Sequence, residues 1–389
     1  MSEWKEYIFS EFVEIAPSVR LEKGSEYSFI EMADLSENTK YCFPKMARDF
    51  NGSGTRFEEK DTLFARITPC LENGKICQAR GLLNGKGFGS TEFHVFKGRP
   101  EVSDTDFVFY LSRWDEVRDY AEANLHGTSG RQRVPREAFD NLVLNLPLLP
   151  EQRAIAGVLS SLDDKIDLLH RQNKTLESLA ESLWRKMFIE DADPNWKIGK
   201  LEDFGRIICG KTPSKNQPEY FNGKTLFIKI PDMHDHVFIF ETTDSLTEQG
   251  KKSQANKTIP PRSICVSCIA TVGLVAMNSV ASQTNQQINT IIPNEAYQRY
   301  YLFLLMRNMT DDLYARASGG TATDNLNTGD FSRIEVTVPP GSVIKRFDEL
   351  VKNQFEKIYI NQSQIRTLSH MRDTLLPKLI SGEISVSKN

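Results

Sequence analysis

The sequence repeats itself at a shift of 192 positions, and a chain written twice from one plan is constrained to fold as two similar units. Trp4, Lys5 and Phe12 fall on Trp196, Lys197 and Phe204. The stretch GTSGRQRVPREAFDNLVLNLP, beginning at Gly127, falls on GGTATDNLNTGDFSRIEVTVP, beginning at Gly319. Leu176, Leu183 and Lys186 fall on Leu368, Leu375 and Lys378. Between these anchors the copies diverge: FIEMADL at 29–35 meets FIKIPDM at 227–233 only after a six-residue insertion. Strand-like runs (DTLFARI, TEFHVF, INTII) alternate with turn residues and one short helix per copy, near FVFYLSRW and YLFLLMRN, which predicts a compact α+β unit. A length of 389 residues accommodates two such units of roughly 150 residues each, with connecting structure. Constant edges around a variable centre are what two like frames reading different targets would show.

Each copy closes on a long amphipathic helix. From Glu151 onward Ile155, Leu159, Leu162, Ile166, Leu169, Asn173, Leu176, Ala180, Leu183 and Met187 step by alternating fours and threes, the seam of a coiled coil. Pro150 and Glu151 suit the start of this helix, and Arg185 and Lys186 suit its negative end. The matching seam of the second copy is Phe347, Val351, Gln354, Ile358, Asn361, Ile365, Leu368, Arg372, Leu375 and Leu379. It is weakened by Gln354 and Arg372, and Pro377 is expected to end it early. At about 1.5 Å per residue such a helix is a rod of roughly 57 Å.

Neither stripe can stay in water, so the helices are expected to pair with each other. They are expected to run antiparallel, because each ends where its partner's globular unit must be reached, with the two units at opposite ends of the rod. The pairing set is Leu162, Ile166, Leu169, Asn173 and Leu176 with Ile358, Asn361, Ile365 and Leu368. Asn173 and Asn361 are expected to meet and fix the register, as a buried polar seam residue can; two solvent-facing asparagines are the plain alternative. The expected division is 1–149 and 191–340 for the two mixed units, 150–190 and 341–380 for the helices, and 381–389 for a tail. The fold class is therefore α+β, two tandem-repeat domains joined by two long antiparallel coiled-coil helices.

Catalytic chemistry is harder to find. GRIICGKT, from Gly205 to Thr212, matches the pattern of a phosphate-cradling loop, but such a loop needs a buried strand before it and a helix after it. Here WKIGKLEDF precedes it, and Pro213 and Pro218 follow. No G-x-S-x-G elbow, paired zinc ligands or dinucleotide turn is present. The pair Cys265 and Cys268 has zinc-like spacing without a second pair, and PDMHDH at 231–236 reads as a solvated turn. No catalytic residue, metal or cofactor is expected on this chain. No apolar run approaches membrane length and the N-terminus lacks a signal-peptide pattern, so a cytoplasmic protein without a membrane partner is expected. A net charge of −4 argues against wholesale nucleic-acid binding, yet 205–230 carries five cations against Glu219 alone. HGTSGRQRVPR carries Arg131, Arg133 and Arg136 with no acid.

Three stretches carry a resemblance: LPLLPEQRAIAGVLSSLDDKIDLLHRQNKTLESLAESLWRKMF at 146–188, its relative VPPGSVIKRFDELVKNQFEKIYINQSQIRTLSHMRDTLLPKLISGEI at 338–384, and GKTPSKNQPEYFNGKTLFIKIPD at 210–232. Across essentially the whole length the chain resembles the DNA specificity subunit of bacterial type I restriction-modification systems. The resemblance implies two target recognition domains on antiparallel helices, reading an asymmetric bipartite site in double-stranded DNA. It implies two methyltransferase subunits docked on the helices and restriction/translocase subunits beyond them. S-adenosylmethionine, ATP and Mg are then expected on those partners.

For a chain of this kind the candidate DNA contacts follow from residue chemistry. In the first copy they are Arg66 and Lys75 beside ITPCLENG, and Thr128, Ser129, Arg131 and Arg133 in the glycine-flanked loop. In the second copy they are Lys211, Thr212, Lys215 and Lys229. The amide-rich run supplies Asn285, Gln286 and Gln287, which suit adenine edges but equally suit tying strand ends together. Thr321, Thr323 and Asn325 stand where the repeat places Ser129, Arg131 and Arg133, so the two copies are expected to make different contacts.

Overall fold

The structure is a computed structural model that describes residues 4–128, 130–318 and 325–386. It divides into two units, Met1–Leu169 with Ile365–Asn389, and His170–Gln364. The two long helices, Leu149–Arg185 and Gly341–Ile380, each begin in one unit and end in the other.

The repeat seen in the sequence is a repeat of topology. In the first unit a five-stranded sheet has the spatial order Val13–Ile15, Phe93–Gly98, Thr62–Ala65, Ile76–Ala79, Tyr41–Cys42. In the second the order is Gly205–Cys209, Ile288–Pro293, Ile264–Ser267, Val275–Asn278, Phe238–Ile239. Both sheets are antiparallel except for the last pair, which is parallel in each. Central strands such as Thr62–Ala65 and Ile264–Ser267 are buried at every position, as strands covered on both faces must be, and so they read as continuous apolar runs. A smaller sheet accompanies each: Glu26–Ile30 between Met46–Asp49 and Lys86–Gly89, with Thr55–Glu58 added, and Phe221–Ile228 between Asp244–Leu246 and Gln283–Thr284. The aligned FIEMADL and FIKIPDM end in the same turn. In each, a backbone N–H (Glu31, Lys229) donates to an aspartate three residues on (Asp34, Asp232), both at 2.8 Å.

Each sheet is covered by two consecutive short helices rather than the single one expected, Thr105–Arg113 with Asp115–Ala123 and Arg299–Asn308 with Thr310–Ala317. The first of each pair carries an unbroken apolar run, Phe107–Leu111 or Tyr300–Met306, and Phe107 through Leu111 are wholly buried. The second escapes notice in the sequence because it buries only Val117 and Ala121, or Leu313 and Ala317, leaving too weak an apolar period to recognise.

Within each unit the two long helices run antiparallel, early residues of one beside late residues of the other. In the first unit Ile155, Ala156 and Leu159 share a core with Leu376, Leu379 and Ile380. In the second, Ala180, Trp184 and Phe188 share one with Phe347, Val351 and Phe355, the Phe188 and Phe347 rings lying 5.2 Å apart. Of the pairing set, Ile166, Leu169, Asn173, Ile358 and Asn361 are buried, while Leu162, Leu176, Ile365 and Leu368 are half-buried. Asn361 Nδ2 donates to Asn173 Oδ1 at 2.9 Å inside the second unit.

Two of the three weak points of the second seam, Arg372 and Pro377, resolve differently from expectation. Arg372 is 3% exposed and donates to Asp163, itself 2% exposed, at 2.7 Å; it also donates to Asn38 O at 3.2 Å. Tyr110 OH donates to the other oxygen of Asp163 at 2.7 Å, so the buried carboxylate has partners on both sides. Pro377 does not end the helix, which continues to Ile380. It lies in the last turn, where the cost of its missing N–H, about 3 kcal/mol in a helix interior, is set against burial of Leu376, Leu379 and Ile380 at about 1.5–3 kcal/mol each. The proline's own carbonyl still accepts from Ser381 N at 3.0 Å.

Arg372 has a second carboxylate partner, Asp373 at 2.8 Å, so the imbalance falls on Asp163: removing Arg372 leaves the Asp163 carboxylate buried without that ion pair. Arg372→Met alone is therefore expected to lower stability by about 3–5 kcal/mol. The double change Asp163→Asn with Arg372→Met, which keeps an acceptor for Tyr110, is expected to regain a large part of that loss, as read by equilibrium denaturation of the full chain.

Candidate nucleic-acid interface

In the first unit the candidate residues converge on one place. The loop from His126 to Val134 is closed by a mutual pair of backbone hydrogen bonds between His126 and Arg133, both 2.9 Å. It is attached to the segment after Thr62–Ala65 through Val134 N to Arg66 O at 2.9 Å, Thr68 N to Gln132 O at 3.0 Å, and Gln132 N to Thr68 Oγ1 at 3.1 Å. Thr128 and Arg131 are exposed on this loop, and Arg131 N donates to Thr128 O at 3.0 Å. Ser129 lies outside the described residues. Arg133 points elsewhere: its Nε and Nη2 grip Glu92 at 2.8 and 2.6 Å, and that grip holds the Glu92 carboxyl below its ordinary pKa. Its guanidinium anchors the loop, while Arg131 faces outward. Arg66 is half-buried, and its Nε has no hydrogen-bond partner among the described residues. Lys75 donates to Met32 O at 3.2 Å and joins the two sheets rather than facing solvent freely.

The second unit builds its counterpart around a glycine and two buried amides. After strand Gly205–Cys209 the chain does not enter a helix, and Lys211 to Gln217 form a largely exposed loop. Gly210 is packed so tightly against the neighbouring strand that a Cβ would sit 2.1 Å from Asn285 O and 2.3 Å from Thr284 O. The GRIICGKT pattern thus serves backbone apposition, and nothing in it forms a phosphate cradle. Beneath the loop, Gln254 Nε2 donates to Lys211 O at 2.7 Å and to Gln283 Oε1 at 2.9 Å. Gln283, wholly buried, donates in turn to Lys251 O at 3.0 Å and Thr258 Oγ1 at 2.9 Å.

The amide-rich run divides by role. Asn285 and Gln287 bond to each other at 2.8 Å, whereas Gln286 is exposed and its Oε1 accepts from Thr212 Oγ1 at 2.6 Å. Asn325 forms an isolated bridge with Ile269, as Arg133 does with Ile67, so these two repeat-related residues occupy equivalent places. Thr321 and Thr323 lie outside the described residues. Lys215 is exposed further along the loop, while Lys229 is spent on an ion pair with Asp244. Lys251, Lys252 and Lys257, in or just after the short helix Glu248–Ser253, lie beside the Lys211 loop through the Gln254 and Gln283 ties. The run GKKSQANKT announced their charge, but nothing in the sequence placed it next to residue 211.

Cys265 and Cys268 are buried, and burial pushes each thiol up to about 12, so neither is a thiolate at neutral pH. Among the described residues no group of three or more His, Cys, Asp or Glu side chains is placed to hold a metal ion. Among them no helix is long and apolar enough to cross a membrane.

Comparison with known proteins agrees across both units. The profile of the Type I restriction modification DNA specificity domain matches residues 1–178 and 194–364. The chain is 33% identical to the HindI specificity subunit of Haemophilus influenzae, an alignment that covers 99% of this chain and all of that protein. It is 25% identical to the MjaIX specificity subunit of Methanocaldococcus jannaschii over 73% of this chain and 70% of that one. The crystal structure of a type I restriction-modification S subunit from M. genitalium shares the fold, with a TM-score of 0.59, 14% identity and coverage of 97% and 96% of the two chains.

His94 lies behind the first loop and gives a test of its anchoring. Its Nε2–H donates to Val134 O at 2.9 Å, and burial pushes its pKa down from 6.5 to about 4. Between those values the unfolded chain binds a proton that the folded chain does not, so stability falls as pH drops through that window. Asp61, pushed up to about 6 by burial, has the opposite slope and is common to wild type and variant. The drop in melting temperature from about pH 7 to about pH 5 is therefore expected to be larger for the wild type than for His94→Gln, as read by thermal unfolding.

Proposed function

Because the chain belongs to the type I restriction-modification DNA specificity family, we propose that each of its two repeated units reads one half of a bipartite, asymmetric target in double-stranded DNA. Specificity subunits bind DNA and assemble with other subunits; the chain is an address reader and not an enzyme in its own right. The observation that carries the bipartite reading is a single sheet order used twice beneath two different exposed edges, Arg131 and Thr128 on one and Lys211, Thr212 and Gln286 on the other.

In this reading residues 1–149 and 191–340 are the two readers, and 150–190 and 341–380 are spacers whose length sets the gap between half-sites. Two methyltransferase subunits, which take S-adenosylmethionine and methylate adenine at N6, dock on the long helices. Restriction/translocase subunits supply ATP- and Mg-dependent translocation and cleavage. The assembly works in the cytoplasm, where the DNA is. Arg131, Lys211, Lys215 and Lys252 hold phosphate, with Lys251 and Lys257 beside them. Gln286, steadied by Thr212, is the side chain best suited to a base edge, since an amide can both donate to and accept from adenine.

These roles separate in one experiment, binding of the full chain with its companion subunits to duplexes carrying the target mapped from methylated adenines in the host. Arg131→Ala is expected to weaken binding to every sequence alike and to reduce the slope of log affinity against log salt by about 1. Gln286→Ala is expected to relax one base position by about 1–3 kcal/mol and leave the salt slope unchanged. Inserting about four residues, one turn or about 6 Å, near Ser178 is expected to move the preferred gap by about one or two base pairs, and an unchanged gap would count against the spacer role.

A further inference from the structure

Both units fasten their recognition domain to a long helix at the same step of the repeat. The fastening residues on the helices are Asp164 and Glu356, 192 positions apart like the rest of the duplication. In the second unit Arg262 reaches Glu356 with both terminal nitrogens, Nη2 to Oε2 at 2.7 Å and Nη1 to Oε1. Tyr300 OH donates to Oε1 of the same carboxylate at 3.0 Å and accepts from Arg262 Nη1 at 2.9 Å. The guanidinium also lies 4.9 Å from the ring centre of Tyr359, one helical turn beyond Glu356. Phe238 and Phe240, on and after the edge strand, pack on that ring at 5.2 and 4.8 Å.

The first unit uses the corresponding edge strand. Tyr41 OH donates to Asp164 Oδ1 at 2.5 Å, Arg80 stands 3.7 Å from the same oxygen, and its guanidinium covers the Tyr41 ring at 4.3 Å. One turn earlier on the helix, the buried Lys40 donates to Ser160 Oγ at 2.7 Å and to Asp106 Oδ1 at 2.9 Å. Lys60 and Arg262 are counterparts: each has positive φ, 71° and 63°, and each N–H donates at 2.8 Å to the carbonyl at the end of the neighbouring strand, Ala79 or Asn278. With FVFYLSRW laid on YLFLLMRN, Asp106 corresponds to Tyr300. Lys60 faces Asp106 at 3.5 Å where Arg262 faces Tyr300.

Core packing already holds each domain against its helix, but apolar contact tolerates rotation and sliding, whereas the bidentate Arg262–Glu356 pair has one geometry, and the directional Tyr41–Asp164 hydrogen bond takes its place in the first unit. We propose that Asp164 and Glu356 are positioning residues that fix the rotation of each recognition domain on its long helix, and through it the gap at which the second half-site is accepted. The proposal rests on the reading that each unit addresses one half-site. Neither carboxylate touches DNA in this scheme. Their loss leaves the sequence of each half-site readable and blurs only the distance between them.

The test is selection from a pool of random duplexes by the full chain with its companion subunits, followed by sequencing of the bound fraction. The wild type is expected to yield two half-sites at one gap. Glu356→Gln, which keeps the shape of the side chain and removes its charge, is expected to yield the same half-sites with the fraction at one base pair more or less raised at least about threefold. Tyr300→Phe removes a single hydroxyl while keeping the ring that stacks on Phe355 at 4.2 Å, and is expected to shift the distribution the same way by less. An unchanged gap distribution together with a lower melting temperature, in either variant, would mean a merely structural contact and overturn the proposal. Half-site preference lost along with the gap in Tyr300→Phe would overturn it as well, because the residues would then act on reading itself. A wild-type pool with one contiguous site, or with no preferred gap, would remove the two-half-site reading and the proposal with it.

Discussion

Two long helices that each carry an apolar stripe cannot remain in water, and everything else in this chain is arranged around satisfying them. In each unit the stripe of one helix is closed by the stripe of the other, with a recognition domain on the flank. Aligning early residues of one helix with late residues of the other lets a duplicated sequence bury both copies of its seam. The polar members of the seam meet partners that hydrophobic matching alone would not choose. Asn173 takes Asn361, and Arg372 takes Asp163, so a shift by one turn would strand charges and amides in the interior.

Above this frame the recognition domains combine a rigid base with a variable edge. The five-stranded sheets share one order and one parallel pair, and their central strands are buried throughout. The exposed edges are tied down from below, by Arg133 on Glu92 in one unit and by Gln254 on Gln283 in the other. Different chemistry thus produces a similar result, exposed side chains such as Arg131 and Lys211 on backbone tied to the sheet beneath.

Much of this was legible in the sequence, and what was not has a physical reason. The repeat and the heptad seam are local periodicities, so Ile166, Leu169 and Ile358 could be placed without coordinates. The partner of Arg372 could not, because Asp163 is 209 residues away and a seam pattern registers arginine only as a defect. Pro377 reads as a helix stop because proline breaks helix interiors, yet it stands in a last turn held by three buried side chains. At the candidate interface the chemistry of single residues was readable, but not their neighbours: Arg133 and Lys229 are paired with Glu92 and Asp244, acids distant in sequence or unmarked by any motif. Gln254 and Gln283, which organise the second edge, carry no motif, since a buried amide is indistinguishable from a surface one until the fold is known.

The depth of that amide pair has a consequence for how such a molecule can change. Gln283 lies wholly beneath the surface and Gln286, three residues on, stands in the open, so the support and the exposed face of this edge are different residues on one strand end. Outward positions can then be exchanged one at a time while the platform keeps its form. Under the proposed reading of this edge, a new address is reachable by small edits, with no intermediate that must refold.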